Sequence, residues 1–440
     1  MAEKLFKDRN LGIEANLGRP RTVLALGAHL AETAQAAKDR GAKVVAIESD
    51  SIAINQVKDI ADEAHPFDAK NPFAPAQGRT FDLVLLEDVD ADMVRGLAEK
   101  APALLTDGGH VLVAVRSGKG TVDRIGRDLE AAGLELMRID FDPRILKTVA
   151  HLTDSAEDLH TLHTTSLRFT QQLVWPFERL VAKAFPVALA DEVIFVARKP
   201  PKRGKLSLTV GLLTLNEKES VEKMIDDIRA VAPDAKILLI DSSSDETPEL
   251  ARAKGARVVR QLPPRGHGPA MERLMYEAAT ESDALVYIDC DFTYPTYEIP
   301  NILKMLEDGA DVVNGSRTSK YPKAMPVPNF LANRTFAASA QIVHGIPTTD
   351  VHSGMRGYRS SVIRAFSFDG EGDALPLDTL ILPARSNYHV VEFPIEYSER
   401  VGVSKLAKLR GTVWTFIRIG TAIGKGERVR RGRRYVLGRP

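Results

Sequence analysis

Apolar runs of four to eight residues recur along the chain, at Val23 to Leu26, Lys43 to Ile47, Leu83 to Leu86, His110 to Val115, Glu192 to Ala197, Leu206 to Leu213, Lys236 to Ile240 and Ala284 to Ile288. Stretches with helical spacing lie between most of them. Runs rich in β-branched residues and lacking polar alternation predict strands buried on both faces, so the pattern predicts an α/β fold of parallel sheets covered by helices. In the second half, Val221, Met224, Ile225 and Ile228 follow i, i+3, i+4, i+7 spacing, and Asn216 is the predicted cap of that helix. A second helix is predicted with Thr247 as N-cap, Pro248 at its first position and Gly255 past its end.

The run Glu192 to Ala197 is followed by Arg198-Lys-Pro-Pro-Lys-Arg-Gly204, which has linker composition, and the strand pattern then starts afresh. The chain therefore divides into two Rossmann-like, doubly wound domains, residues 1–200 and 206–403, with a C-terminal tail at 404–440. Its 440 residues give each domain room for its own core. Cys290 is the one cysteine, which excludes an intramolecular disulfide and a cysteine zinc cluster and suits a reducing compartment. The charged start, Met1 to Asn10, lacks the apolar core of a signal peptide, and no stretch reaches about 18 apolar residues. These features predict a cytoplasmic protein, or one peripheral on the cytoplasmic face of a membrane.

In the first domain, Val23-Leu-Ala-Leu-Gly27-Ala-His29 follows a strand and opens an Ala-rich helix, while Glu48 ends the next strand. A glycine turn lets backbone amides approach a ligand, and an acidic residue there can accept both ribose hydroxyls. With Phe81-Asp-Leu-Val-Leu-Leu-Glu-Asp88 and Leu104-Leu-Thr-Asp-Gly-Gly-His-Val-Leu-Val113, the region of about residues 20–198 resembles the class I S-adenosylmethionine-dependent methyltransferases. The resemblance implies S-adenosylmethionine held by Gly27 and Glu48. Ala28, His29, Leu30 and Ala31 stand where further glycines are usual, and their side chains crowd the methionine moiety, which predicts weak or no binding. From the residues alone a second reading stays open, in which Gly27 and Glu48 are a turn and a solvated strand end in a domain kept for packing or docking.

The sharper signal is in the second domain. Ala284-Leu-Val-Tyr-Ile288 runs straight into Asp289-Cys-Asp291. Carboxylates two apart at the carboxyl end of a strand emerge where parallel sheets bind ligands, and two like charges so close call for a cation. A divalent ion held by few carboxylates and completed by substrate phosphates is the usual Mg2+ or Mn2+ arrangement, so the pair suggests a nucleoside diphosphate ligand.

Around this pair stand Leu213-Thr-Leu-Asn-Glu217, Leu239-Ile-Asp241-Ser-Ser-Ser-Asp245-Glu-Thr247, Arg265-Gly-His-Gly268, Asn314-Gly-Ser-Arg317, Asp350-Val-His-Ser-Gly-Met-Arg-Gly-Tyr358 and Arg400-Val-Gly-Val-Ser-Lys-Leu406. In this order they resemble the family 2 GT-A glycosyltransferases, most closely the dolichyl-phosphate mannosyltransferase-like branch, over about residues 206–406. The resemblance implies that Leu215, Glu217 and Asp241 bind base and ribose, that Asp289 and Asp291 handle metal and diphosphate, and that Arg317, Arg334, Arg400 and Lys405 face phosphates. Surface ion pairs are the alternative role for Arg334 and Arg400. Asp291 and Arg400, with Asp350, form the implied catalytic set of a metal-dependent, inverting single displacement. Leu213 and Leu215 replace the family's usual Pro and Tyr, and Asp-Cys-Asp-Phe-Thr-Tyr-Pro replaces its more frequent Asp-Ala-Asp-Leu-Gln-His-Pro.

From Lys405 onward, Leu406, Leu409, Val413, Trp414 and Ile417 keep near-helical spacing among basic residues, ending in Lys425-Gly-Glu-Arg-Val-Arg-Arg-Gly-Arg-Arg434. This predicts an amphipathic helix with a polybasic extension, suited to a membrane surface or to packing on the preceding domain. The net charge of +0 and the lack of an aromatic platform speak against nucleic acid. The leading expectation is transfer of a sugar from a nucleotide sugar to a polyprenyl phosphate. Two alternatives are a bifunctional glycosyltransferase and methyltransferase acting on a hydroxyl of a soluble metabolite or glycan, and a non-catalytic binding module.

Overall fold

The computed structural model describes residues 13, 16–116, 121–143, 190–368, 370, 375–399, 415–416, 419–420, 427–428 and 435–437. The chain forms two compact units. The first comprises Met1–Pro201 with Arg364–Ser367 and Gly424–Arg430, and the second comprises the remainder.

In the first unit the strands are β1 (Thr22–Gly27), β2 (Lys43–Glu48), β3 (Glu63–Pro66), β4 (Phe81–Glu87), β5 (Leu105–Arg116), β6 (Glu135–Pro143) and β7 (Ala190–Arg198), with helices α1 (Ala31–Asp39), α2 (Val94–Leu104) and α3 (Thr121–Ala131) among them. The sheet order is β6-β7-β5-β4-β1-β2-β3, parallel from β3 through β5. Chain direction of winding reverses between β1 and β4, and Gly27 and Glu87 end the two strands in register there. Leu24, Leu26, Val84, Leu86, Val111 and Val113 lie at the centre of this unit's core.

The second unit has β8 (Leu208–Thr214), α4 (Val221–Val231), β9 (Lys236–Asp241), α5 (Thr247–Ala253), β10 (Arg257–Arg260), α6 (His267–Glu281), β11 (Ala284–Ile288), α7 (Ile299–Glu307), β12 (Val312–Ser316), α8 (Val327–His344), β13 (Met355–Arg359), α9 (Leu375–Arg385) and β14 (Val390–Pro394). Its sheet runs β10-β9-β8-β11-β13-β12-β14. Here too the order reverses, between β8 and β11, which brings the loop after β8 beside Asp289-Cys-Asp291. The buried side chains Val210, Leu212, Ile225, Leu239, Val286 and Ile288 form its core.

Three expectations need correction. The sheets are mixed rather than wholly parallel: β7 runs antiparallel to β5 and β6, and β13 antiparallel to β11 and β12. A strand buried on both faces carries the same apolar run in either direction, so composition does not reveal its sense. Helix α4 starts after Ser220, four residues beyond Asn216, and Glu246 rather than Thr247 precedes α5. Asn216 instead holds a left-handed turn at φ 55°, which Asn tolerates. Finally, the tail is not wholly a helix with a polybasic extension. Residues 415–416 and 419–420 are helical, but Glu427–Arg428 forms β15 against β6 and Tyr435–Leu437 forms β16 against β14. Most of residues 404–440, with Trp414 and Ile417, lies outside the described residues.

Candidate active site

The acid pair stands where β11 ends. Tyr287 and Asp289 alternate with Ile288, so their side chains share one side of the strand. The Tyr287 hydroxyl donates to Asp289 Oδ1, and the Asp289 amide donates to the Gly354 carbonyl at 3.1 Å. A side chain at position 354 would bring its Cβ within 2.2 Å of Asp289 Oδ2, so glycine there leaves room for the carboxylate. Burial and the Asp289 charge hold the Tyr287 phenol well above its ordinary pKa, so it stays a donor. Asp291 is turned inward, where Thr293 donates to Oδ1 from its amide at 3.1 Å and from its hydroxyl. Between them Cys290 is buried, its thiol pushed up by burial, and its carbonyl accepts from Ser220 Oγ at 2.8 Å. That cysteine is a packing residue.

The expected base and ribose residues divide. Leu215 is exposed at the end of β8, and the Glu217 amide donates to Thr247 Oγ1 at 2.9 Å, which ties this loop to the start of α5. Asp241 is fully buried and saturated. It accepts from Thr214 Oγ1 at 2.7 Å, from the Ser243 hydroxyl at 2.6 Å and amide at 3.2 Å, and it is ion-paired with Arg260. Arg260 is opposite Asp241 in the β9 and β10 register. Asp241 therefore shapes the loops around the site through its partners rather than presenting a bare carboxylate.

A second buried ion pair joins Asp350 to Arg317. Asp350 is fully buried, and Arg317 reaches it three times: the amide at 3.1 Å and Nε at 2.7 Å to Oδ2, and Nη2 at 2.9 Å to Oδ1. The His352 amide also donates to Oδ1 at 3.1 Å. Burial pushes the Asp350 carboxyl up, but the Arg317 charge and hydrogen bonds pull it down further, so it sits below the ordinary carboxylate value. The guanidinium carbon of Arg317 lies 5.8 Å from the Tyr294 ring centroid and 5.6 Å from that of Tyr397. The β12 and β13 register sets Asn314 opposite Arg356, and Asn314 bridges the motifs by donating to the Asp350 carbonyl at 2.9 Å and accepting from Arg356 Nε at 2.6 Å.

Arg334 is exposed on α8, and its Nη1 reaches the Thr318 carbonyl at 3.5 Å. Arg400 and Lys405 lie outside the described residues. Residue types alone did not single out Tyr287, Tyr294, Tyr397, Arg260 or His352. Strand alternation could have flagged Tyr287, and His352 meets Asp350 from two residues away; Tyr294, Tyr397 and Arg260 meet the site through long-range contacts.

The acid pair fits a divalent cation. Among the described residues no three His, Cys, Asp or Glu side chains gather to hold a metal by themselves. Asp289 and Asp291 offer hard carboxylate oxygens, suited to Mg2+ or Mn2+ where a bound diphosphate completes the shell.

The first unit does not fit S-adenosylmethionine in the way expected. Glu48 is 2% exposed rather than a solvated strand end, and its carboxylate accepts from the amides of His29 at 3.2 Å, Leu30 at 3.0 Å and Asp50 at 2.8 Å. Both oxygens are thus committed to the glycine turn and to the exposed amides at the start of α1. Gly27, at φ 151°, serves close strand approach, since a Cβ there would lie 1.7 Å from the Glu87 carbonyl oxygen.

Residues 209–366 match the family model described as Glycosyl transferase family 2. A dolichyl-phosphate hexose transferase from Haloferax volcanii is 36% identical over 219 residues, covering 50% of this chain and 91% of that protein. An undecaprenyl-phosphate mannosyltransferase from Micrococcus luteus is 28% identical over 207 residues, covering 44% of this chain and 85% of the relative. Among solved structures, glucosyl-3-phosphoglycerate synthase from Mycobacterium tuberculosis aligns at 22% identity with a TM-score of 0.40, over 48% of this chain and 79% of the other.

Proposed function

The chain belongs to glycosyl transferase family 2, and on that footing we propose that its second unit, with residues 206–403 as the catalytic domain, transfers a hexose from a nucleotide sugar to a polyprenyl phosphate. The names of the Haloferax and Micrococcus relatives support the acceptor class. The observation that carries it is the locked state of Asp350. A hydroxyl acceptor must lose a proton during attack and benefits from a general base. A phosphate monoester is largely dianionic at neutral pH and needs none. Asp350, buried and bonded through both oxygens, suits a positioning role, which leaves an acceptor that arrives already ionised.

In this reading Asp289 and Asp291 would hold Mg2+ or Mn2+, which supplies charge neutralisation for the departing diphosphate. Leu215 and Glu217 line the nucleoside end, and Asp241 fixes the loops that contact it. Asp350 holds Arg317 in one rotamer beside Tyr294 and Tyr397, so the pair fixes the walls of this part of the site. Arg334, Arg400 and Lys405 are further phosphate partners in this proposal, and the reaction inverts the anomeric centre by single displacement.

A lipid acceptor needs a surface that meets lipid. On α8, Val327, Leu331 and Ile342 follow helical spacing on one exposed face, Ile342 with 84% of its surface accessible, and exposed Tyr321, Lys320 and Lys323 precede the helix. An apolar helix face beside cationic and aromatic residues suits peripheral contact with an anionic leaflet, to which the basic tail adds charge. Among the described residues no helix is long and apolar enough to cross a membrane.

The test is a transfer assay with radiolabelled UDP- and GDP-hexoses, Mn2+ and a short polyprenyl phosphate in detergent. Label passing into the organic phase as a phosphodiester-linked sugar is expected. Transfer to soluble hydroxyl acceptors with none to the lipid would overturn the proposal.

A further inference from the structure

We infer that Tyr287 is the positioning residue that orients the Asp289 carboxylate, and that His267 holds Tyr287 in that role. The inference rests on Asp289 serving the donor site, as proposed above. Tyr287 is a tyrosine in a strand whose other side chains, Ala284, Leu285, Val286 and Ile288, are all apolar and buried. A buried phenol at such a place needs a partner for its hydroxyl. It has two: Asp289 Oδ1, and His267 Nε2 at 3.2 Å. A phenol carries a single proton. Because an ionised carboxylate can only accept, that proton goes to Asp289, and the phenol oxygen must accept from His267, which puts the imidazole proton on Nε2.

The other side of the carboxylate is bounded by Gly354, where any Cβ would come within 2.2 Å of Oδ2. Asp289 is therefore seated between a fixed donor and a bare backbone, and its rotamer is set before any ligand arrives. His267 opens α6 directly after Gly266, whose φ of 101° favours glycine. The chain His267 to Tyr287 to Asp289 thus couples the Arg265-Gly-His-Gly268 turn to the acid pair, and movement of that turn is felt at the carboxylate. Groups that orient metal-binding carboxylates typically cost 10 to 100-fold in metal affinity when removed.

The experiment is calorimetry with Mn2+ plus UDP and Mn2+ plus GDP, alongside transfer kinetics, on the full chain carrying Tyr287→Phe, His267→Ala, His267→Gln or Asp289→Asn. Tyr287→Phe is expected to weaken Mn2+-dependent nucleotide binding and raise donor KM by roughly 10 to 100-fold. The kcat at saturating metal and donor should stay within about threefold, because the phenol touches no reacting atom. His267→Ala should shift the same constants less, and His267→Gln, whose amide can still donate to the phenol, should restore them. If Tyr287→Phe fails to fold, the His267 pair carries the test. Wild-type constants in Tyr287→Phe, with Asp289→Asn impaired, would overturn the inference and leave the donor-site reading standing. Equal nucleotide binding by wild type and Asp289→Asn would overturn both.

Discussion

Asp350 and Arg317 form a closed pair: the arginine's amide, Nε and Nη2 all donate to the one carboxylate. Both groups are removed from water, Asp350 fully and Arg317 to 11% side-chain exposure. Removing one partner of such a pair leaves a buried, uncompensated charge and costs about 3 to 5 kcal/mol. Arg317→Ala should therefore lower unfolding stability by about that amount in denaturant titrations, whereas an exposed ion pair contributes about 1 kcal/mol or less. The pH dependence has a definite sign. The folded-state value of Asp350 is depressed, so its contribution is complete above the ordinary carboxylate value of 3.8 and is lost as pH falls below it. The stability gap between wild type and Asp350→Asn should be constant from pH 5 to 8 and should close on the acid side.

The same substitution separates acceptor classes. If the acceptor is a polyprenyl phosphate, Asp350→Asn should retain appreciable transfer, with any loss following the altered set of Arg317. If it is a hydroxyl, turnover should fall by about 10² to 10⁴-fold with donor binding unchanged. Specific activity is to be compared at matched folded fraction, since the variant also loses stability.

Asp291→Asn should cut transfer by several orders of magnitude at unchanged far-ultraviolet circular dichroism, because the carboxylate would anchor the ion beside the leaving diphosphate. Turnover near wild type would remove the metal-dependent reading.

In the first unit, Glu48→Ala should destabilise the fold by about 1 to 2 kcal/mol, since amides at the start of α1 lose their acceptor. Neither wild type nor variant should bind S-adenosylmethionine in calorimetry at micromolar concentration. Glu87 offers an independent handle. Burial, with repulsion from Glu192, Glu32 and Asp88, pushes its carboxyl from 4.5 up to about 8. A raised folded value means full stability below 4.5, a decline as pH rises towards 8, and a plateau beyond. Glu87→Gln should flatten that slope in pH-dependent melts.

For membrane contact, Leu331→Glu and Ile342→Glu on α8 should each weaken cosedimentation with anionic vesicles by about tenfold or more, as burying one such side chain is worth about 1.5 to 3 kcal/mol. Transfer to a water-soluble, short-chain acceptor should be unaffected. Deleting residues 425–440 is a poorer test than the basic composition suggests, because β15 and β16 pair into the sheets and their removal exposes strand edges.

Local pattern was enough to place β1, β2, β4, β5, β7, β8, β9 and β11 and to put Asp289 and Asp291 just past the end of β11, because buried strands declare themselves through uninterrupted apolar runs and ligand-binding acids through where those runs stop. The strands β3, β6, β10 and β12 to β16 are not among those that such runs predicted. Local pattern, through the strand alternation that backbone geometry fixes, could also have put Tyr287 on the Asp289 side. It did not decide what each charged side chain would meet. Asp350 finds Arg317 across 33 residues, Asp241 finds Arg260 through the register of an edge strand, and Glu48 turns back onto the amides of His29 and Leu30. A buried carboxylate takes whichever donors the packed chain brings within reach, since leaving it unpaired costs several kcal/mol, and only strand order and register determine which those are. The motif residues were legible because they are local; their division into ligand-facing and scaffold-holding groups was a property of the tertiary structure.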